Sequence, residues 1–384
     1  MNAQPSFQIP DRVFDLASSS PYLEDPVDSN TDWFDSCLKG AREKVELLVA
    51  QAARDTAYLV HFEIAERLLF CQLGDFVLAK FPMRVANLSL HDSEIRDEKS
   101  VYDRLFSQLL TRSFDAIHFK SVRPGTVLWR YLQSGPLLRN SFRFYSQRGP
   151  LPHWLIRLNG SFNDFTKRLS AKTRKNRVRE VKMLRKFAQV NLIRVTEPSE
   201  IDPFLNAAYA ISEKTRKFQQ FGWSVAARDR WLLKNELVRL ARLGWLRSYL
   251  LTCDNVPCSF ILGQQSCARF YPVAAGVDPD WKQYSVGTVL LWLALEDLFA
   301  DSPPGFYDLG TSAKHKEYLA TDSYLDADVW LFRRQRYPAL ASSLCRACDF
   351  ASRLGGATLH RIGLKRKVSH FLSAAFNKPA AQRI

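Results

Sequence analysis

The chain has no long apolar run. Its most hydrophobic stretch, Thr288–Ala300, is interrupted by Glu296 and Asp297, and a bilayer-spanning helix needs about 20 predominantly apolar residues. The N-terminus also lacks the apolar core of a secretory signal, because Gln4, Asp11, Arg12 and Asp15 fall where that core would lie. A soluble, non-exported, cytoplasmic protein is therefore expected. Cysteine is sparse: seven residues, odd in number and irregularly spaced, make no disulfide framework. Cys345 and Cys348 form a C-x-x-C, but no second pair or nearby histidine completes a zinc site. No metal is expected, and these two cysteines read as small apolar residues on one helix face. A G-x-S-x-G elbow, a P-loop, a dinucleotide fingerprint and an H-E-x-x-H are all missing, so hydrolase, kinase, dehydrogenase and zinc-protease readings have no motif behind them.

What is present is an ordinary globular balance. The 384 residues are 46% hydrophobic and 24% charged, with 26 phenylalanines, enough for two domains with aromatic-rich cores. The net charge of +15 is uneven. Lys167–Lys186 holds ten Lys/Arg against Glu180 alone, and Arg333 to the end holds eleven against Asp349 alone. The remainder is slightly acidic, most clearly in Met1–Asp35. The Lys167–Lys186 segment has no aromatic residues interleaved for base stacking, so no specific nucleic-acid partner is expected. It reads as a helix with an apolar stripe whose charged side is either merely solvated or faces an anion.

The alternation of elements predicts a mixed α/β (α+β) fold built in two halves. Residues 1–32 are read as a partly disordered acidic segment, 33–150 as a first half, 151–335 as a second and 336–384 as a basic helical tail. In the first half, Phe34–Arg54 reads as a helix, and Ala57–Phe62, Arg67–Gln72 and Phe76–Phe81 as short strands. In the second, Ser161 is expected to cap Phe162–Leu169, Ser199 to open a helix to Lys217, and Gly244 to close Ala226–Leu243. Strands follow at Leu246–Thr252, Val256–Gln264 and Ala268–Gly276, then a helix at Ser285–Ala300 and a strand at Gly305–Leu309. The tail helix Pro338–Leu354 is expected to pack on the body. His360–Phe376, basic with Phe and Leu on one face, suits either packing or peripheral contact with the inner membrane surface.

The loop Tyr284-Ser285-Val286-Gly287-Thr288 lies between a strand and a long apolar helix. A small-residue loop at a helix N-terminus leaves backbone N–H groups free and suits a pyrophosphate, though it equally suits a plain Ser-capped packing helix. Asp308 in Tyr307-Asp308-Leu309-Gly310 can hold a proton or simply close a turn. Taken in order, Leu169 to Arg177, Ile211 to Thr215 with Gly222-Trp223, Gly244 to Arg247, Tyr284 to Leu291, Tyr307 to Gly310 and Lys316-Glu317 resemble one family. It is the acetyltransferases of bacterial cellulose and exopolysaccharide synthesis, a branch of the GNAT superfamily related to the Fem aminoacyltransferases. The resemblance spans roughly Leu158–Phe332. It implies an acyl-CoA N-acyltransferase (GNAT) fold in two tandem halves, with acetyl-CoA or another acyl-CoA as co-substrate in the second. It implies acyl transfer to an amine or hydroxyl of a small-molecule or glycan acceptor, such as an exopolysaccharide precursor. Carried over, Tyr284, Ser285, Gly287 and Thr288 would hold the pyrophosphate, and Lys172, Arg174 and Arg177 would contact phosphates or an acidic substrate. Tyr271, Asp308, Lys316 and His315, which stands where the family has Tyr, would serve catalysis. Fem-like tRNA-dependent aminoacyl transfer and a non-catalytic scaffold binding anionic polymer or membrane are the alternatives.

Overall fold

A computed structural model describes residues 45–51, 57–73, 76–89, 99–215, 218–219, 224–265, 269–301, 304–311 and 314–361. The readings of residues 1–32, of Gly222-Trp223 and of the tail beyond 361 lie outside these residues. The chain divides into two compact units, one formed by Ala41–His153 with Ser323–Ile384, the other holding Trp154–Asp322. The chain thus returns, after Asp322, to the unit it left at His153, a return the division at 150 and 335 did not contain.

The split unit opens with strands β1 (Val45–Gln51), β2 (Ala57–Leu73) and β3 (Phe76–Ser89), joined antiparallel. The expected helix over 34–54 is corrected here: within the described residues, Val45–Gln51 is a strand paired to β2. Val45, Leu47 and Val49 satisfy a two-residue period as well as a helical one, and a short apolar run does not separate the two. The two short strands expected at 57–62 and 67–72 are one long strand. Helix α1 (Lys99–Leu110) buries Val101, Tyr102, Leu105, Phe106 and Leu109 on one face and carries the chain over to β4 (Ala116–Val122), parallel to β3. Helix α2 (Val127–Ser134) is capped by Thr126, whose hydroxyl accepts from Trp129 N at 3.2 Å. Helix α3 (Pro136–Ser141) and β5 (Phe142–Ser146) complete this run.

The central unit begins within β6 (Leu151–Arg157), followed by α4 (Phe162–Arg168), α5 (Ala171–Phe187), β7 (Val190–Val195), α6 (Ile201–Glu213) and α7 (Arg230–Arg242). Next come strands β8 (Ser248–Cys253), β9 (Val256–Gln265) and β10 (Arg269–Val277), helix α8 (Val286–Ala300), strand β11 (Phe306–Thr311) and the short α9 (Lys314–Glu317). The sheet order in this unit is β6-β11-β10-β9-β8-β7. Every residue of β8 is buried because both faces are covered. Tyr249 and Leu251 join the core under α4, α5 and α8, while Leu250 joins the core under α6 and α7.

Ser161 caps α4 as expected, in a reciprocal box with Asp164. The expectation for Ser199 is corrected: a 3-10 turn, Pro198–Glu200, precedes α6, and the Glu200 carboxylate accepts from Thr196 N and Glu197 N instead. Gly244 follows the last turn of α7 with φ +71°, as a helix-closing glycine should.

The chain re-enters the split unit through β12 (Asp322–Arg333), antiparallel to both β4 and β5, and ends in α10 (Arg336–Arg361). Helix α10 packs through Ala341 and Cys345, whereas Leu340 and Leu344 are exposed. Cys345 is joined to Cys71 of β2 by a disulfide. This corrects the reading of the C-x-x-C: one of its cysteines has a partner 274 residues away, a pairing that no local spacing encodes. Among the described residues, no helix is long and apolar enough to cross a membrane, and no three His, Cys, Asp or Glu side chains gather as metal ligands.

Candidate functional site

Strands β10 and β11 run parallel and, among the described residues, pair only at Arg269 with Phe306 and Phe270 with Tyr307. Beyond that point β10 stays with β9, bulging between Pro272 and Ala274, and β11 goes its own way. The first residues past the parting are Tyr271 and Asp308. Phe270 and Tyr307 stack at 5.0 Å in the core under α8. With a two-residue period, Tyr271 and Asp308 therefore point to the opposite face. Burial and the neighbouring Asp308 push the Tyr307 phenol well above its ordinary pKa.

Asp308 is buried and fully engaged. One oxygen faces Arg269 Nη1 at 3.2 Å and the other accepts from Gly310 N at 2.6 Å. The Arg269 guanidinium also lies over the Tyr271 ring, 5.4 Å from its centroid. Gly310 has φ +72°, and a Cβ built there would sit 3.5 Å from Lys316 Nζ and 3.9 Å from Asp308 Oδ1. Tyr271, Asp308 and Lys316 are thus brought together where the strands part, with Arg269 as a member the sequence reading had not named. The side chain of His315 lies outside the described residues.

The loop between β10 and α8 is anchored at its start. Asp278, 4% exposed, caps a 3-10 turn (Pro279–Tyr284) by accepting from Asp280 N at 3.0 Å. It also accepts from Lys214 Nζ at 2.7 Å, and Asp280 adds a contact at 3.3 Å. The hydrogen bonds to Asp278 and then Asp280 hold the Lys214 pKa above its ordinary value. Lys214 belongs to the Ile211–Thr215 motif, which thereby acquires a physical task. At the loop's end Ser285 adopts a left-handed conformation, φ +56°, at the N-cap of α8, and its side chain makes no cap bond. The plain Ser-capped helix is therefore not what is built. Val286 and Gly287, in the first turn, have no intrahelical acceptor for their N–H groups. A Cβ on Gly287 would stand 2.6 Å from Val277 Cγ2, so glycine is what lets this turn close onto β10. Free donors and the positive end of a 15-residue helix make an anion cradle.

Tyr284 packs beside the cradle, its ring 4.1 Å from Phe187 and 5.8 Å from Trp281. Phe187 is the last residue of α5. At its other end, α5 follows α4, whose Phe165 packs on Phe299 at the far end of α8. Helices α5 and α8 therefore run antiparallel. Arg177 lies ten residues before Phe187, about 15 Å along the helix, and Lys172 and Arg174 are farther still. The expected grouping of these three with Ser285–Thr288 is not what the structure places there. Arg177 is paired with Glu180 at 2.5 Å, and Arg174 reaches Thr166 O at 3.5 Å. The basic residues in the turn of α5 that ends at Phe187 are Arg185 and Lys186, and Lys282 lies in the 3-10 turn that leads to Ser285. The charge run showed the helix; its direction against α8 was not readable from sequence.

The far end of α8 is fixed by Arg247. Its guanidinium, 5% exposed, donates to the Asp297 and Asp301 carbonyls at 3.0 and 2.9 Å, to Asp297 Oδ2 at 2.7 Å, to Gln265 Oε1 at 3.1 Å and to the Tyr249 hydroxyl at 2.7 Å. A cation on the last carbonyls complements the helix dipole.

Comparison with known proteins agrees with this architecture. No curated protein matches the chain. Among solved structures, FemX is similar over 81% of this chain and 93% of its own, with 8% identity and a TM-score of 0.52, which shows a shared fold. A protein of unknown function from Bacteroides thetaiotaomicron covers 79% of this chain and 90% of its own at 12% identity and TM-score 0.47. A tandem GNAT protein from the clavulanic acid biosynthesis pathway covers 79% and 87% at 12% identity and TM-score 0.43. Residues 171–318, all within the central unit, match the family described as acetyltransferase (GNAT) domain.

Proposed function

We propose that the central unit transfers an acyl group, acetyl in the simplest case, from an acyl-CoA thioester to an amine or hydroxyl. The observation that carries this reading is the parting of β10 from β11 beside the open first turn of α8. A pantetheine arm has a slot lined by unpaired strand backbone, and its pyrophosphate has a cradle at the end of that slot. On this reading the N–H groups of Val286 and Gly287 hold the pyrophosphate, Ser285 and Thr288, whose own N–H groups bond to Lys282 O and Ser285 O, shape the turn that presents them, and Tyr284 shapes the cradle wall. The acceptor's lone pair attacks the thioester carbonyl, the carbon–sulfur bond breaks, and the acceptor's proton leaves to a base or to water. The Lys316 ammonium stands where it can stabilise the developing oxyanion. Asp308, with both oxygens engaged, serves to hold Arg269 and the Gly310 turn in place. Tyr271 and His315 stand as candidates for contact with the acceptor. The sugar or exopolysaccharide acceptor, and peripheral contact with the membrane, rest on the family resemblance and the basic tail alone.

The test is a thermal-shift screen of the full chain against acyl-CoAs of increasing chain length, with thiol release measured over amine and hydroxyl acceptors, amino sugars included. A ligand at about 100 times its Kd should stabilise the fold by roughly 2.7 kcal/mol. The absence of any shift, together with no thiol release, would refute the proposal. Label transfer from aminoacyl-tRNA without any response to acyl-CoA would move the activity to the Fem-like alternative.

A further inference from the structure

The split unit contains a cavity of about 500 Å³ that belongs to no part of the GNAT domain. Four guanidinium groups line it: Arg139 of α3, Arg143 of β5, Arg334 after β12 and Arg346 of α10. No carboxylate is in its wall. The partners of three of them are neutral. Arg143 Nη1 meets Ser343 Oγ at 3.3 Å, Arg334 grips the Arg139 carbonyl at 3.1 and 2.8 Å, and Arg346 donates to the Phe144 carbonyl. Among the described residues none of the four is paired with a carboxylate. Four like charges round one cavity repel, and surfaces that gather arginines without acids are relieved when an anion enters. Arginine's planar fork matches phosphate oxygens in particular.

The floor has different chemistry. Leu138 and Phe142 are buried beneath the guanidinium rim. A second hollow, of about 330 Å³, shares Phe144 and Arg346 with the first and extends to Phe350; its one carboxylate, Asp349, accepts from the Tyr145 hydroxyl at 2.7 Å and from Arg148 N at 3.1 Å. Along α10, Leu340, Leu344 and Phe350 are left exposed beside the two cavity-lining residues Ser343 and Arg346. The cationic rim is thus continuous with apolar surface, and the volume suits a compact organic ligand.

We propose that this cavity binds a phosphate ester carrying an apolar group, its phosphate on the arginine rim and its apolar part on the floor and the α10 strip. Such an ester is either a soluble molecule or the headgroup of a lipid. Calorimetry on the full chain would compare hexyl phosphate, inorganic phosphate and hexanol, with acetyl-CoA added as a competitor to separate this site from the GNAT cradle. Hexyl phosphate should bind roughly tenfold or more tightly than either fragment, since both surfaces are then used, and should weaken as salt rises. Acetyl-CoA should not displace it. Arg139→Gln with Arg143→Gln should cost about tenfold or more in affinity, with an unchanged circular dichroism spectrum. Flotation with phosphatidylcholine vesicles containing phosphatidate distinguishes the sources: co-flotation lost in the double variant assigns the headgroup, and hexyl phosphate binding without flotation assigns a soluble ester. Absence of binding to either probe, or equal binding by the double variant, would overturn the proposal.

Discussion

Gly287→Ala adds one methyl group at the tightest point of the proposed cradle. The new Cβ would lie 2.6 Å from Val277 Cγ2, where carbon atoms prefer about 3.5–4.0 Å. Roughly 1 Å must be found. Val277 cannot supply it cheaply, because a β-branched side chain has few allowed χ1 positions, so the first turn of α8 must lift from β10. Overpacking costs about 1–3 kcal/mol, and the better helix propensity of alanine returns at most about 1 kcal/mol. The net loss, about 0–3 kcal/mol, predicts a fall in Tm of no more than about 12 °C for a unit of this size. The effect on acyl-CoA is larger in proportion. A displacement of about 1 Å takes a charge-assisted N–H bond out of range, and each such bond contributes roughly 1.5–3 kcal/mol. Acetyl-CoA affinity should therefore drop about 10- to 100-fold while the fold persists, as read by calorimetry alongside thermal melting. Ser285→Ala is the control, since that side chain makes no cap bond, and it should leave both readings near wild type. Should Gly287→Ala bind acetyl-CoA within about twofold of wild type, the cradle is not where the pyrophosphate sits.

Charge reversal at the two ends of α5 should be unequal: Arg185→Glu with Lys186→Glu should weaken acetyl-CoA binding by about tenfold or more, and Lys172→Glu with Arg174→Glu should change it little, as measured by titration at low salt. Arg247→Met removes one partner of a buried ion pair and uncaps α8, so a loss of about 3–5 kcal/mol is expected in urea unfolding. Arg194→Met, whose guanidinium is 39% exposed beside the same Asp297, should cost under about 1 kcal/mol. Ser161→Ala should lower stability by about 1 kcal/mol through loss of the α4 cap. Hydrogen bonds from the Ser161 side chain and then its backbone hold the Asp164 carboxyl below its ordinary value of 3.8. That contribution is complete above pH 3.8 and is lost as pH falls through the lower folded value, so urea midpoints should show it on the acid limb of wild type and more weakly in the variant, which keeps the backbone donor. Finally, peptide mapping without reduction should recover Cys71 linked to Cys345.

Elements with one strong local signal were legible. The strands β8 to β10, the helix α8 and the capping box at Ser161 each announce themselves within a dozen residues. What the sequence concealed depends on partners far along the chain. Val45–Gln51 is a strand because β2 is there to pair with it. Tyr284, Ser285 and Gly287 could be picked out as a loop, but the reason for the glycine is Val277, ten residues earlier on another element. Asp308 was visible as a candidate base, and its partner Arg269 was not, because their meeting depends on how β10 registers against β11. Lys172, Arg174 and Arg177 illustrate the converse. A run of charge identifies a helix face, but which end of that helix meets the ligand is decided by α4 and α8 packing at opposite ends.

The register of that one strand pair organises the whole candidate site. If β10 and β11 remained paired beyond Phe270 and Tyr307, Tyr271 and Asp308 would be interior members of a closed sheet. Their backbone groups would be consumed by each other, and no ligand could lie between the strands. Parting after Phe270 and Tyr307 leaves room between the strands, and the bulge at Pro272–Ala274 turns β10 toward β9 just past the parting. Asp308 then has a specific burden. It is buried at the mouth of an opened sheet, where an unpaired carboxylate would be costly. Arg269 and the Gly310 amide satisfy it from both sides. The same two bonds fix the turn that brings Lys316 back to the mouth. A carboxylate held in this way is a poor proton acceptor but a stiff strut, so on the proposed reading the cation at Lys316, rather than the carboxylate, is the group left to act on the thioester oxygen.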